Sequence, residues 1–225
     1  GAGKSTLLRV LAGDVAPRAG TVRMGGRPMY LWPMAERARR RAVLPQRVEV
    51  AFGFTALEVV LLGRLPHNDG APSADDHAIA CAALARVDAT HLEQRIVNTL
   101  SGGEAARVHL ARVLAQLWGA DRGRDRYLLL DEPTASLDPA HQHLTLACAR
   151  ACAREQGLGV LAVLHDVNLA AQYADRIALL KRGRLITEGA PREVLTPEQL
   201  ERCYGVQAVV LPHPRLDAPL VVLAA

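Results

Sequence analysis

Aromatic residues make up only 4% of this 225-residue chain, and lysine is almost missing: of 27 Lys and Arg residues, only Lys4 and Lys181 are lysine. The shortage of aromatics argues against a surface that stacks on nucleobases, although the net charge is +4 and Arg37-Ala38-Arg39-Arg40-Arg41 forms a basic run. That run reads as a solvated helix face, and no nucleic-acid partner is expected. No uncharged stretch approaches the roughly 20 apolar residues that a bilayer span needs, and no secretory signal is visible. Any link to a membrane must therefore pass through a partner. The four cysteines have neither metal nor disulfide spacing. Cys148 and Cys152 lie one helical turn apart in an Ala-rich stretch and read as small buried thiols, which suits a reducing cytoplasm. His141 and His143 are two apart on a predicted helix and point to different faces, so they do not pair on a metal.

Half of the residues are hydrophobic, enough to fill one large core. Lys4–Leu11, Thr55–Leu62, Ala74–Val87, Gly103–Leu117 and Pro139–Gln156 have helical character. Thr21–Met24, Arg41–Leu44, Tyr127–Asp131 and Gly159–Leu164 read as strands, the last two as buried ones. Arg182-Gly183 sits between Ile177–Lys181 and Leu185–Glu188 as a hairpin turn. This alternation predicts an α/β fold with a mostly parallel sheet. Residues 66–118 interrupt it with helices alone and are expected to form a helical subdomain of a single 1–225 domain. Beyond Leu211, Pro212-His213-Pro214 is expected to begin a loosely packed tail.

Three short motifs carry the chemistry. Gly1-Ala2-Gly3-Lys4-Ser5-Thr6 opens a helix; its glycines let backbone N–H groups approach phosphate oxygens, Lys4 reaches the β/γ-phosphates and Ser5 ligates Mg²⁺. Leu100-Ser101-Gly102-Gly103-Glu104 opens a second helix with free N–H groups and a positive end. Tyr127-Leu128-Leu129-Leu130-Asp131-Glu132-Pro133-Thr134 is an apolar strand ending in two carboxylates, where Asp131 would hold Mg²⁺ and Glu132 would orient or deprotonate the attacking water. Together they predict ATP hydrolysis with ATP and Mg²⁺. A complete loop reads G-x-x-x-x-G-K-[ST], whose first glycine would fall three residues before Gly1. The sequence therefore reads as lacking the first strand and the start of the loop, and as written it is expected to bind ATP poorly.

From Gly1 to about Leu211 these motifs resemble the ATP-binding cassette (ABC) ATPases, with their P-loop NTPase core. In that family the N-terminal loop is Walker A, Asp131-Glu132 is Walker B and Ser101–Glu104 is the signature. The resemblance further implies that Gln46, in Leu44-Pro45-Gln46, is the Q-loop glutamine, a Mg²⁺ and water ligand that senses the partner. Asp138, in Ser136-Leu137-Asp138, belongs to the D-loop across the dimer interface, and His165 is the switch histidine contacting the γ-phosphate. The family's geometry puts the signature turn of one copy on the nucleotide of a second, so a homodimer sandwiches two ATP molecules. Gly63-Arg64-Leu65-Pro66-His67 is similar to the iron-siderophore, haem and vitamin B12 importer group as a whole, and Leu44-Pro45-Gln46, the signature ending in Glu104, Ala111–Trp118 and Leu164–Arg176 are similar in particular to its haem (hemin) importers. That implies a two-subunit membrane permease, a periplasmic haem-binding protein as an indirect partner, and a peripheral place on the cytoplasmic face of a bacterial inner membrane. The alternatives are the same role for ferric siderophore or B12, a soluble cassette ATPase, and an inert truncated product. Ala105-Ala106 stand where relatives usually carry glutamines, which is expected to soften contacts near the facing γ-phosphate.

Overall fold

The computed structural model describes residues 1–46, 52–68, 70–119 and 125–223. In chain order the main elements are α1 (Lys4–Ala12), a minimal hairpin of β1 (Arg23–Met24) and β2 (Arg27–Pro28), α2 (Met34–Arg40), β3 (Arg41–Leu44), α3 (Ala56–Leu62), α4 (Ala74–Arg86), α5 (Gly102–Leu117), β4 (Tyr127–Asp131), α6 (Pro139–Gln156) and β5 (Gly159–Val163). Then follow α7 (Val167–Tyr173), β6 (Ile177–Lys181), β7 (Arg184–Gly189), α8 (Pro191–Val194), α9 (Pro197–Tyr204), β8 (Ala208–Pro212) and β9 (Pro219–Leu223). The chain divides into two units, residues 8–163 and residues 1–7 with 164–225.

In the larger unit, β4 lies between β3 and β5 in a parallel sheet. Leu128, Leu129 and Leu130 are all buried, because a central parallel strand is covered on both faces and has no polar side to show. The strand expected over Thr21–Met24 shortens to β1. Gly159–Leu164, expected to be buried, is β5 with Gly159 and Leu161 exposed; among the described residues it has one paired neighbour, and an edge strand keeps an open side.

Helices α3, α4 and α5 share one core with β3 and β4, filled by Val59, Val60, Leu84, Val108, Leu114 and Leu128. The start of each helix follows from its sequence. Thr55 caps α3 with Glu58, Ser73 caps α4 with Asp76, and Ser101 caps α5 with Glu104, each as a reciprocal capping box. Such caps stabilise a helix by about 1 kcal/mol each. A Cβ on Gly63, where α3 ends, would lie 2.3 Å from the Arg112 carbonyl oxygen, so α3 meets α5 at backbone contact and only glycine fits.

The buried Arg64 and Asp76 are paired. Arg64 Nε lies 2.8 Å from Asp76 Oδ1, and Arg64 Nη1 donates to the carbonyls of Ala115 at 2.7 Å and Trp118 at 3.0 Å. The network ties the start of α4 to the end of α5, and the Arg64 guanidinium holds the Asp76 carboxyl well below the usual carboxylate range. The arginine run of α2 and β3 is not the free solvated face the sequence suggests. Arg39 donates to the Pro66 carbonyl, Arg40 sits 4.2 Å over the Trp32 ring with Arg27 also against it, and Arg41 is 3.4 Å from Asp14. Several of these guanidiniums are thus spent on the chain's own carbonyls, aromatic ring and carboxylate.

In the smaller unit, β6 and β7 form an antiparallel hairpin whose turn residues Arg182 and Gly183 have φ of 48° and 74°, the left-handed pair that a tight two-residue turn demands. Ile177, Leu179, Val194, Leu195 and Leu200 fill its core. The expected loose tail is instead the β8–β9 hairpin. Asn168 on α7 grips its backbone twice, Nδ2 donating to the Val221 carbonyl at 3.0 Å and Oδ1 accepting from the Val221 N–H at 2.7 Å. The alternating Ala208, Val210 and Val221 supply the apolar face that lets this segment pack.

His109 on α5 is buried, and its Nδ1 has no hydrogen-bond partner among the described residues. Burial and the nearby Arg112 cation push its pKa down to about 4. As pH falls from about 6.5, the unfolded chain takes up a proton that the native state refuses, so stability declines down to about pH 4 and is full above about 6.5. His109→Leu should flatten this dependence, with urea unfolding between pH 6.5 and 4.5 losing about 2 kcal/mol less than the wild-type protein does; an unchanged pH profile would refute the assignment.

Candidate functional site

The N-terminal loop belongs to the smaller unit. Gly3 has φ +86°, a left-handed conformation open to glycine and strained for other residues. Its carbonyl accepts from the Leu7 N–H at 2.9 Å, so it stands at the helix boundary, where the first N–H groups of α1 point out of the helix end. The first turn of α1 carries no acidic residue, leaving its positive end suited to an anion. The β6–β7 turn braces this loop: Gly183 N–H donates to the Ala2 carbonyl at 3.0 Å, and a Cβ on Gly3 would come within 3.8 Å of Gly183 Cα. Gly1 is open, with nothing within 4 Å of its would-be Cβ. In the same unit, Asp166 caps α7 by accepting from the Asn168 and Leu169 N–H groups at 2.7 and 3.0 Å. This cap fixes the chain where it leaves β5 and leaves His165 exposed just before the helix.

In the larger unit the sheet delivers the acidic pair. Asp131 ends β4 opposite Val163 and is buried. Glu132 follows with φ +52°, a left-handed backbone that costs a non-glycine residue on the order of 1–3 kcal/mol. The strain is over-determined: Glu132 N–H donates to the Val163 carbonyl at 3.1 Å, and its own carbonyl accepts from Ala135 at 3.2 Å. The side chain is fixed too, since Gln46 Nε2 donates to Glu132 Oε2 at 2.6 Å. Because Leu44 and Leu130 are register partners, Gln46 and Glu132 each stand two residues past the same rung.

Ser101–Glu104 is the start of α5. The Ser101 hydroxyl accepts from the Glu104 N–H at 3.3 Å, Glu104 Oε2 accepts from the Ser101 N–H at 2.8 Å, and Glu104 Oε1 is 3.1 Å from Arg95. The Glu104 carboxylate, a candidate nucleotide contact, is thus committed to its own chain, and these partners lower its pKa. The glycines behave differently. Neither has positive φ, and Cβ atoms on Gly102 and Gly103 would meet Ser136 Cβ at 3.8 Å and the Ser136 carbonyl at 3.5 Å, ordinary contact distances. Among the described residues neither a contact nor a backbone angle requires glycine at either place, which points to access to their backbone as what glycine preserves. Asp138 caps α6: Oδ1 accepts from the His141 N–H at 3.0 Å, and Oδ2 is 2.7 Å from His141 Nδ1.

The structure therefore brings Gln46 to Glu132 and the Gly102-Gly103 turn to Ser136 beside Asp138. The N-terminal loop and His165 belong to the other unit. Sequence reasoning missed Gln142, which ties the Thr134–Asp138 loop, and the bond from His141 to Asp138; the i,i+3 spacing of an N-cap Asp and a following donor is the signal that points to the latter. Among the described residues no group of three or more His, Cys, Asp and Glu could hold a metal. A magnesium ion carried on nucleotide phosphates needs only one or two protein oxygens, and in the larger unit the buried Asp131 carboxylate at the end of β4 is a donor of that kind.

A parallel α/β sheet that ends in acidic residues, together with a glycine-bounded helix start open to phosphate, defines the class as a nucleotide-hydrolysing cassette. Residues 1–135 match the ABC transporter family. Over 222 residues the chain is 56% identical to the hemin import ATP-binding protein of Gloeobacter violaceus, covering 99% of this chain and 80% of that one. It superposes with a TM-score of 0.79 and 28% identity on an inward-facing ABC transporter assigned to the metal-chelate type, covering 100% of this chain and 84% of that one. An ATP-binding cassette solved as a dimer in a post-hydrolysis state with ADP and Pi matches at TM-score 0.73 and 26% identity, over 84% of this chain and 81% of that one. The chain belongs to the ABC transporter family.

Gly103→Ala tests the idea of open access. With room for the methyl and a better helix former in place, its melting temperature should equal or exceed that of the wild-type protein while ATPase activity falls; a variant that loses stability together with activity would refute it.

Proposed function

We propose that this chain is the ATP-hydrolysing subunit of a bacterial hemin importer. The observation that carries this reading is the 56% identity to a hemin import ATP-binding protein over 99% of the chain. A metal-chelate transporter matches at half that identity, so ferric siderophore or B12 stands as the second cargo.

In this reading Gly1, Ala2, Gly3, Lys4, Ser5 and Thr6 hold the nucleotide's phosphates through backbone N–H groups and the Lys4 ammonium. Magnesium neutralises phosphate charge when bound, with Ser5, Gln46 and Asp131 as its protein ligands. Glu132 orients the attacking water and takes its proton, and its carboxylate is held ready by Gln46. His165 contacts the γ-phosphate. Ser101, Gly102 and Gly103 serve the nucleotide of a second copy, Glu104 acts through the cap that shapes their turn, and Asp138 faces that copy. Residues 66–118 form the helical subdomain of the 1–225 cassette.

The chain works as a homodimer beneath a two-subunit permease, which a periplasmic haem-binding protein supplies. Among the described residues no helix is long and apolar enough to cross a membrane, so attachment runs through the permease, received between Gln46 and about His67; residues 47–51 of that segment lie outside the described residues. ATP binding favours the closed dimer and hydrolysis the open one, and this difference in affinity drives alternating access.

The reading is tested by Mg-ATPase and hemin uptake with the permease in lipid vesicles. Activity that rises on assembly with the permease and accompanies hemin entry is expected; equal, permease-independent activity would point to a soluble role. Ser101→Arg should abolish turnover while leaving ATP binding largely intact, at a stability cost of about 1 kcal/mol for the lost cap. Normal turnover in that variant would sink the two-copy site.

A further inference from the structure

The loop that leaves β4 is fastened by the first turns of the helix that follows it. Gln142 Nε2 donates to the Leu137 carbonyl at 3.0 Å and to the Thr134 carbonyl at 3.3 Å. One residue earlier, His141 engages both oxygens of Asp138, through its backbone N–H and its ring. Two successive turns, Ala135 N–H to the Glu132 carbonyl and Leu137 N–H to the Thr134 carbonyl, bring Ser136 to the tip, against Gly102 and Gly103. A continuous run of contacts thus leads from Gln46 through Glu132 and this loop to the Ser101–Glu104 turn, all within the larger unit.

Helix formation does not ask for this use of Gln142. Asp138 already caps α6, and the Gln142 backbone N–H has its ordinary helical partner in the Asp138 carbonyl at 2.9 Å. A glutamine at this place is free to point into water, yet it is half-buried and turned back over the loop. Both of its amide protons are committed, one to each end of a four-residue turn. Without them the loop would keep its helix cap and its two backbone turns and lose the side-chain ties that brace them.

We propose that Gln142, seconded by His141, is a positioning residue for ATP hydrolysis: it fixes the Thr134–Asp138 loop so that a change at Glu132 is passed to the glycine turn serving the second nucleotide. The inference rests on the roles given above to Glu132 and to the Ser101–Glu104 turn. Its two consequences are a loss of turnover without loss of ATP affinity, and weaker coupling between the two sites.

The test compares Mg-ATPase rates against ATP concentration, with melting temperatures, for the wild-type protein and four variants. Gln142→Met keeps length and shape without a donor. It should lower kcat roughly tenfold, change KM by less than about twofold and move the Hill coefficient toward one, with the melting temperature nearly unchanged. Gln142→Lys restores a donor of similar reach and should recover part of the loss. His141→Asn, with an amide near the Nδ1 position, should stay closer to wild type than His141→Ala. Wild-type kcat and Hill coefficient in Gln142→Met would overturn the inference, as would losses that track melting temperature alone and that lysine does not recover. A folded wild-type protein without Mg-ATPase activity would overturn the underlying ATPase reading, and this inference with it.

Discussion

The in-register parallel pairing of β4 between β3 and β5 is the constraint on which the candidate site depends. Leu44 opposite Leu130 and Asp131 opposite Val163 bring the ends of the strands to one level. Gln46 then meets Glu132, and the Glu132 N–H finds the Val163 carbonyl. A slip of one residue would turn the β4 leucines over and carry Asp131 to the opposite face. Leu128, Leu129 and Leu130 are buried on both faces and would stay so after such a slip, so the register rests on the end of the strand, where Asp131 turns polar and the Glu132 N–H and side chain find their partners.

Capping does comparable work for the helices. Thr55, Ser73 and Ser101 each open a helix with an acidic residue three positions on, and the third of these boxes lies inside the signature motif. Ser101 and Glu104 are thereby explained as a cap, which leaves the two glycines between them as the part that local structure does not require. A motif that looks uniform in sequence thus separates into a frame and an opening. The same economy is seen at Asp76, which caps α4 and neutralises Arg64 in the interior; removing either partner of such a pair leaves a buried charge unanswered.

Most of the helices and strands were legible because their signals are local: periodicity, caps, and the Arg182-Gly183 turn. The features that were not legible depend on distant partners. The arginine run reads as solvated until Trp32, Pro66 and Asp14 are seen beside it, and charge alone does not reveal those partners. The segment after Leu211 reads as a tail because two prolines flank its histidine, while what orders it is Asn168, some fifty positions earlier. Gly159–Val163 has the composition of a buried strand, but exposure is decided by the number of neighbouring strands, which composition does not encode. At the candidate site the motifs name the candidate residues, whereas the Gln46–Glu132 bond and the Gln142 ties follow from register and loop curvature.

The strained backbone at Glu132 gives this arrangement a physical use. A left-handed φ at a non-glycine residue costs on the order of 1–3 kcal/mol, and a hydrogen bond to a charged group returns on the order of 1.5–3 kcal/mol. The Gln46–Glu132 bond therefore adds to the backbone bonds that already hold Glu132, by fixing its side chain. Gln46 immediately precedes the segment assigned to the permease, and Glu132 opens the loop that ends against the glycine turn. Any shift of Gln46 thus bears first on Glu132, and through the loop on the glycine turn. Gln46, Glu132 and the loop behind it thus lie on one connected path, and the sheet that carries them holds both ends of it at one level.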